Sequence, residues 1–221
     1  MRLLPIFTGL AAAFVLLGAC GNSTTGTEFR AALTEAGQLV APQDAPSPEA
    51  LGRASFAAVP GPLLFVVLRD GEAAAPMVPF GDNRGFVTWS TADRQTLTLR
   101  DGMVVATRGL GDDLMSADTS ALAGAVAAGR GAGADLVTRH LDGNDSVVVR
   151  RFACSVRSEG REAVTLVSGQ TISAERTVAD CTDGPLAIRN VYWKDEGGTV
   201  RRSRQWVSPG AGYATIEALR L

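Results

Sequence analysis

The chain is poor in the residues that most often carry chemistry. Its 221 residues include a single histidine, His140, which excludes most zinc centres. There is one lysine, Lys194, and the 21 basic residues stand against 23 acidic ones. A formal charge of -2 builds no field that would draw nucleic acid. Only three cysteines occur, with no C-x-x-C spacing, so a thiol redox centre or cysteine metal site has no ligand set. Beyond residue 20 the longest run of bulky apolar residues, Leu63 to Leu68, is of strand length and too short to span a bilayer as a helix. No long helices alternate with the strand patterns, which argues against a parallel α/β sheet, and no internal repeat is present. No cofactor, metal or catalytic residue is expected from this inventory.

What the chain does have is an N-terminal address. Arg2 is the only charge before Glu28, and Leu3 to Leu17 is an apolar stretch broken by Pro5, Thr8 and Gly9. It reads as a secretory signal sequence, too short and wrongly flanked for a membrane span. It ends in Leu17-Gly18-Ala19-Cys20, which resembles the lipobox of bacterial lipoproteins. That resemblance implies cleavage before Cys20 and acylation of the cysteine; the other reading is an ordinary signal sequence with an incidental cysteine. Several acyl chains anchor a protein stably where one does not. Gly21 stands where an aspartate, in such lipoproteins, commonly retains the protein at the inner membrane, so the resemblance implies an outer-membrane destination. In an oxidising compartment the remaining two cysteines, Cys154 and Cys181, are expected to form a disulfide, the other possibility being two buried thiols.

The body of the chain reads as β. Residues 22–27 form a small polar tether, Glu28 to Val40 has helical spacing, and Ala41 to Pro48 holds three prolines and reads as a linker. From Leu63 the apolar period becomes two. The firmest element is a hairpin: Leu97 and Leu99 share one face, Asp101-Gly102 makes the turn, and Met103 to Arg108 returns. The alanine-rich Ser120 to Gly129 is expected as a helix, Gly129 to Gly133 as a flexible loop. Further strands are expected at 146–156, 162–168, 170–178, 186–193, 199–207 and 213–219. Short links between them predict an antiparallel meander.

The stretch Arg94-Gln-Thr-Leu-Thr-Leu-Arg-Asp-Gly-Met-Val-Val-Ala-Thr-Arg-Gly-Leu-Gly-Asp-Asp-Leu-Met-Ser-Ala-Asp118 resembles the YjbF/GfcB lipoprotein family. So do Ser203-Arg204-Gln205-Trp206-Val207-Ser208-Pro209-Gly210, the Gly212-Tyr213 that follows, and Tyr192-Trp193. The resemblance extends over most of the chain after Cys20. It implies a mainly β fold, a large antiparallel meander bent into two sheets or a half-barrel with one or two short helices. It implies residues 1–19 as lipoprotein signal peptide, 20–60 as lipidated cysteine, tether, short helix and linker, and 61–221 as a single β domain. It also implies a non-enzymatic accessory factor of capsule or exopolysaccharide production or export. Such a protein would be held at the outer membrane by acylated Cys20, facing the periplasm, beside an outer-membrane β-barrel protein of the same pathway.

Candidate sites are few. Arg202, Arg204 and Trp206 alternate on one face of an expected strand, and Tyr192 lies in the preceding one. Guanidinium groups beside an aromatic ring suit an acidic sugar, so these four form a candidate surface for polysaccharide or for a partner protein; plain sheet packing explains the same pattern. Asp112-Asp113 could bind a cation or work as an acid/base pair, or simply end a strand before a helix capped by Ser116 or Asp118. His140 is expected as a surface or satisfied core residue. Two function classes follow: an accessory protein working through a protein partner, and a periplasmic module that holds the polymer itself. No nucleophile–base constellation is legible for a polysaccharide-modifying enzyme.

Overall fold

The computed structural model describes residues 46–221. The expected signal sequence, Cys20, the expected tether and the helix expected at 28–40 lie outside the described residues. The described chain opens with a helix, α1 (Pro48–Ala58), in a place where no element was expected. Its start obeys ordinary capping chemistry: the Ser47 side chain accepts from the Ala50 N–H at 3.3 Å, Pro48 opens the first turn and Glu49 follows. Its weak apolar periodicity hid it. Gly52 sits in the helix because a Cβ there would stand 2.4 Å from a methyl of Val167. At the other end Arg220 stacks over the Phe56 ring at 4.3 Å and donates to the carbonyls of Phe56, Val59 and Gly61.

Twelve strands follow: β1 (Leu63–Leu68), β2 (Ala73–Asn83), β3 (Phe86–Ser90), β4 (Thr96–Arg100), β5 (Met103–Arg108) and β6 (Leu114–Asp118) precede helix α2 (Ser120–Ala128). After it come β7 (Arg130–Leu141), β8 (Val147–Thr165), β9 (Thr171–Asp183), β10 (Leu186–Lys194), β11 (Val200–Ser208) and β12 (Gly212–Arg220). All pair antiparallel in one sheet ordered β5-β4-β3-β2-β1-β12-β11-β10-β9-β8-β7-β6, nearly closed into a barrel-like shape. The first and last strands pair in the middle, so the two edges are the consecutive strands β5 and β6. The mainly β antiparallel meander expected from sequence is the observed fold.

Side chains bridge the seam between those edges. Thr107 Oγ1 accepts from the Leu114 N–H at 3.0 Å and donates to Asp113 Oδ1 at 2.9 Å. Arg108 reaches the carbonyls of Leu114 and Met115. Covering an edge in this way removes a template for unwanted strand addition.

Strand β1 is buried on both faces. Leu64 and Val66 meet Trp89, Leu97 and Ile216 on one side, while Leu63 and Phe65 meet Val59, Val164 and Leu166 on the other. A third cluster gathers Leu122 and Val126 of α2 with Phe152, Val156, Ile188 and Tyr192. The expected hairpin is present as β4–β5, with Asp101 and Gly102 at φ 51° and 77°, the signature of a type I′ turn.

Three expectations are corrected. Residues 129–133 are no flexible loop: Gly129 is the left-handed C-cap of α2 (φ 69°) and β7 begins at Arg130. The glycine that suggested looseness serves close approach, since a Cβ on Gly131 would lie 2.7 Å from the Ala125 Cβ. The two strands expected at 146–156 and 162–168 are one 19-residue strand, β8, with a bulge between Ser158 and Arg161 where Gly160 takes φ 92°. The helix cap expected at Ser116 or Asp118 falls on Thr119, because residues 114–118 form strand β6, although Asp118 does accept from the Ser120 N–H at the start of α2.

Candidate functional site

The candidate surface is built on the register of β9 to β12. Arg202 is paired across the ladder with Trp193 on one side and Glu217 on the other. Its guanidinium lies 5.3 Å from the Trp193 ring centre, and its Nε is 3.3 Å from Glu217 Oε1. Arg176 covers the same indole at 5.8 Å, while the Trp193 N–H donates to Glu162. Glu217 is 3% exposed, and its other oxygen accepts from the Val167 N–H at 2.7 Å. Burial pushes its carboxyl up, and that N–H and Arg202 pull it back. Arg204 stacks over Tyr213 at 3.7 Å, and the Tyr213 hydroxyl accepts from the Arg189 backbone N–H at 3.0 Å. Asp180, bridging Arg189 and Arg157, is held below the usual carboxylate range by those two partners.

The four expected residues therefore divide. Arg202 and Arg204 stand on this arginine–aromatic face. Trp206 does not join them: its ring meets His140 and Phe152 edge-on, both at 5.6 Å, and its backbone N–H donates to Asn190 Oδ1 at 2.8 Å. Tyr192 is fully buried in the α2 cluster, where burial raises its phenol far above the ordinary value. The aromatics beside the arginines are Trp193 and Tyr213, and the cross-strand register is the signal that finds them.

The paired aspartates are joints. Asp113 accepts from the N–H groups of Gly109 at 2.7 Å and Leu110 at 3.1 Å. Asp112 accepts from the Gly210 N–H at 2.7 Å, tying the seam to the β11–β12 turn. Among the described residues no cluster of three or more potential ligands gathers as a metal site, and no helix is long and apolar enough to cross a membrane. Lys194 caps α2, donating to the carbonyls of Val126 at 2.7 Å and Ala127 at 3.0 Å, with Glu175 at 3.3 Å.

His140 is a core residue, 4% exposed, with Nε2 3.1 Å from Thr138 Oγ1. Burial, chiefly, lowers its pKa below the ordinary 6.5; Asp112 and Asp113 oppose the shift and Arg150 adds to it. A depressed pKa means the unfolded chain binds the proton more readily, so this contribution to stability is present above pH 6.5 and is lost as pH falls through the folded value. His140→Gln should flatten the decline of unfolding free energy as pH falls below about 6.5 in urea titrations. An unchanged slope would place the acid-sensitive group elsewhere.

Two further surfaces complete the inventory. At the β7–β8 hairpin Leu141, Val147 and Val149 are 38%, 61% and 45% exposed and share one face, Leu141 opposite Val147 and Arg139 opposite Val149. At one end of the barrel-like sheet a cavity of about 670 Å³ opens between β3–β5, α2 and the β10–β11 turn.

Comparison with known proteins gives one family and one fold. The family model for the group 4 capsule polysaccharide lipoprotein, gfcB/YjbF, matches residues 26–219. The crystal structure of the hypothetical lipoprotein YmcC from Escherichia coli K12 is similar with a TM-score of 0.70 at 18% identity, covering 92% of this chain and 98% of that one. No curated protein matches. With nearly the whole length from the tether to the last strand matched, the chain belongs to the YjbF/GfcB family of group 4 capsule polysaccharide lipoproteins.

Proposed function

We propose that this protein is a non-enzymatic accessory factor in capsule or exopolysaccharide production or export. In this reading acylated Cys20 holds it at the outer membrane, facing the periplasm, and it works by contact with an outer-membrane β-barrel protein of the same pathway. The observation that carries the reading is the β7–β8 hairpin. Three large apolar side chains are exposed on one face there, beside Arg139, and a contiguous apolar patch within a charged surface suits a protein partner. The polar groups that could have suggested catalysis are spent on structure: Asp112 and Asp113 on backbone N–H groups, His140 in the core.

The test is crosslinking and affinity capture of the acylated protein from membranes, with mass spectrometry and a glycan assay on the same eluate. Val147→Asp with Val149→Asp should abolish capture of an outer-membrane β-barrel protein and leave the fold intact, because both side chains already face solvent. Polymer that stays bound after membrane proteins are stripped away would overturn the reading. It would favour the second one, a glycan-holding module, for which the Arg202–Trp193 and Arg204–Tyr213 stacks are the supporting observation. In that case Arg204→Glu should weaken retention of an acidic glycan.

A further inference from the structure

We propose that the open end of the barrel-like sheet is a binding site for one single-chain amphiphile, an acyl chain or similar hydrocarbon tail lying inside with its polar head at the rim. The inference does not depend on the partner reading above. The cavity, about 670 Å³, falls in the range of small-molecule sites, roughly 300–1,000 Å³. Its body is apolar, formed by Val87, Trp89 and Leu99 on one wall and Val126 and Ile216 on the other. Its charged and hydroxyl groups divide by position. Arg100, Asp101, Ser120 and Thr199 belong to turns and element ends at the mouth. Arg100, half exposed and stacked over the Phe86 ring at 4.5 Å, stands where an acidic head would lie.

Of the deeper polar groups among the described residues only the Trp89 indole N–H is buried without a partner; Lys194 and Ser203 are already committed. The Lys194 ammonium is held by the α2 carbonyls and Glu175, and the Ser203 hydroxyl accepts from Gln205. A sugar polymer brings several hydroxyls on each ring, most of which would be buried there without partners, each at a substantial desolvation penalty; a hydrocarbon tail demands none. The space is also not slack that side chains could close. Two lining residues, Gly102 of the β4–β5 turn and Val200 at the start of β11, already touch, since a Cβ on Gly102 would meet the Val200 Cβ at 2.6 Å, so the walls cannot close further there. A cavity with an apolar body and a polar rim, held open by its frame, is a binding site for an amphiphile.

The tail could belong to a membrane lipid or to the chain's own acylated Cys20, and two forms of the protein separate these sources. The full chain after signal cleavage, acylated or carrying Cys20→Ala, is titrated with 16-doxyl-stearic acid while tryptophan emission is followed. Saturable quenching that disappears in Trp89→Phe is expected. Ala123→Phe, which fills the cavity from α2, should weaken it at least tenfold without lowering the melting temperature by more than a few degrees. Val87→Phe fills it from the opposite wall if the first variant does not fold. Quenching in both forms identifies a separate lipid as occupant, and quenching confined to Cys20→Ala identifies the protein's own anchor. Absence of saturable quenching in both, or quenching indifferent to the filling substitutions, overturns the proposal.

Discussion

Replacing both Cys154 and Cys181 by alanine should lower the unfolding free energy by about 3.5 kcal/mol, the chain-entropy value for a cross-link of this span. The two cysteines are direct cross-strand partners on β8 and β9, 27 residues apart, and they form a disulfide. Both are buried at 1% exposure or less, among Phe152, Val156, Ala179 and Ile188. The bond acts on the unfolded chain, which without it samples many more conformations, and in the folded state it is shielded from reductant. Mild reductant should therefore leave the native protein unchanged, while reductant with urea should bring the wild type down to the double variant. With a denaturant slope of about 2 kcal/mol/M, the midpoint in urea moves by between about 1 and 2 M. A loss below about 1 kcal/mol would mean that the β8–β9 hairpin already restricts the unfolded chain and that the cross-link adds little. A bond of this kind forms in an oxidising compartment, in keeping with a lipoprotein of the cell envelope.

How much of this was legible depended on whether the information was local. The β4–β5 hairpin was readable because Asp101-Gly102 demands positive φ at both positions and the flanking residues alternate. The two cysteines were readable as a pair because the N-terminal stretch resembles a lipoprotein signal, which implies an oxidising compartment. Gly129 to Gly133 misled because a glycine that lets a helix approach a strand looks the same in sequence as one that loosens a loop; the difference lies with Ala125. Alternation along β11 placed Arg202 and Arg204 on one face correctly. It failed at Trp206, where the ladder shifts before Ser208 and the Asn190 side chain takes the backbone N–H. The ring then packs on His140 and Phe152. Tyr192 is adjacent to Trp193 on one strand, so the two face opposite ways, and only the pairing of Tyr192 with buried Ser203 shows which of them goes inside. The Arg202–Trp193–Glu217 row exists only through the register of three strands, which no local pattern records.

The same kind of long-range contact underlies the second large effect. Gln205 of β11 reaches across to β5, where its Oε1 accepts from the Val104 N–H at 3.0 Å and its Nε2 donates to the Gly102 carbonyl at 2.8 Å and to Ser203 Oγ at 2.9 Å. Gln205→Leu keeps the approximate volume and removes all three bonds. The Val104 N–H is then buried without a partner, whereas the Gly102 carbonyl, half exposed, can turn to water. With about 1–3 kcal/mol for the orphaned buried donor and about 1 for the lost bond to Ser203, the variant should be destabilised by about 2–4 kcal/mol. Gln205→Glu distinguishes the bonds from the shape. Ionised, the new carboxylate still accepts from Val104 but turns a lone pair toward the Gly102 carbonyl; protonated, it can donate there as the amide does. Burial raises the folded pKa of such a group, so its contribution to stability is present below the unfolded value of about 4.3 and is lost as pH rises through the folded one. The variant should therefore gain on the wild type as pH falls toward 4 in urea titrations, while Gln205→Leu keeps a constant deficit. If both variants track the wild type with pH and lose less than about 1 kcal/mol, β5 is held to β11 by packing alone. If they behave as expected, the side chain that joins the two walls also sets the cavity between them, and Gln205→Leu should weaken doxyl-stearate quenching of Trp89 even though Gln205 lies outside the cavity lining.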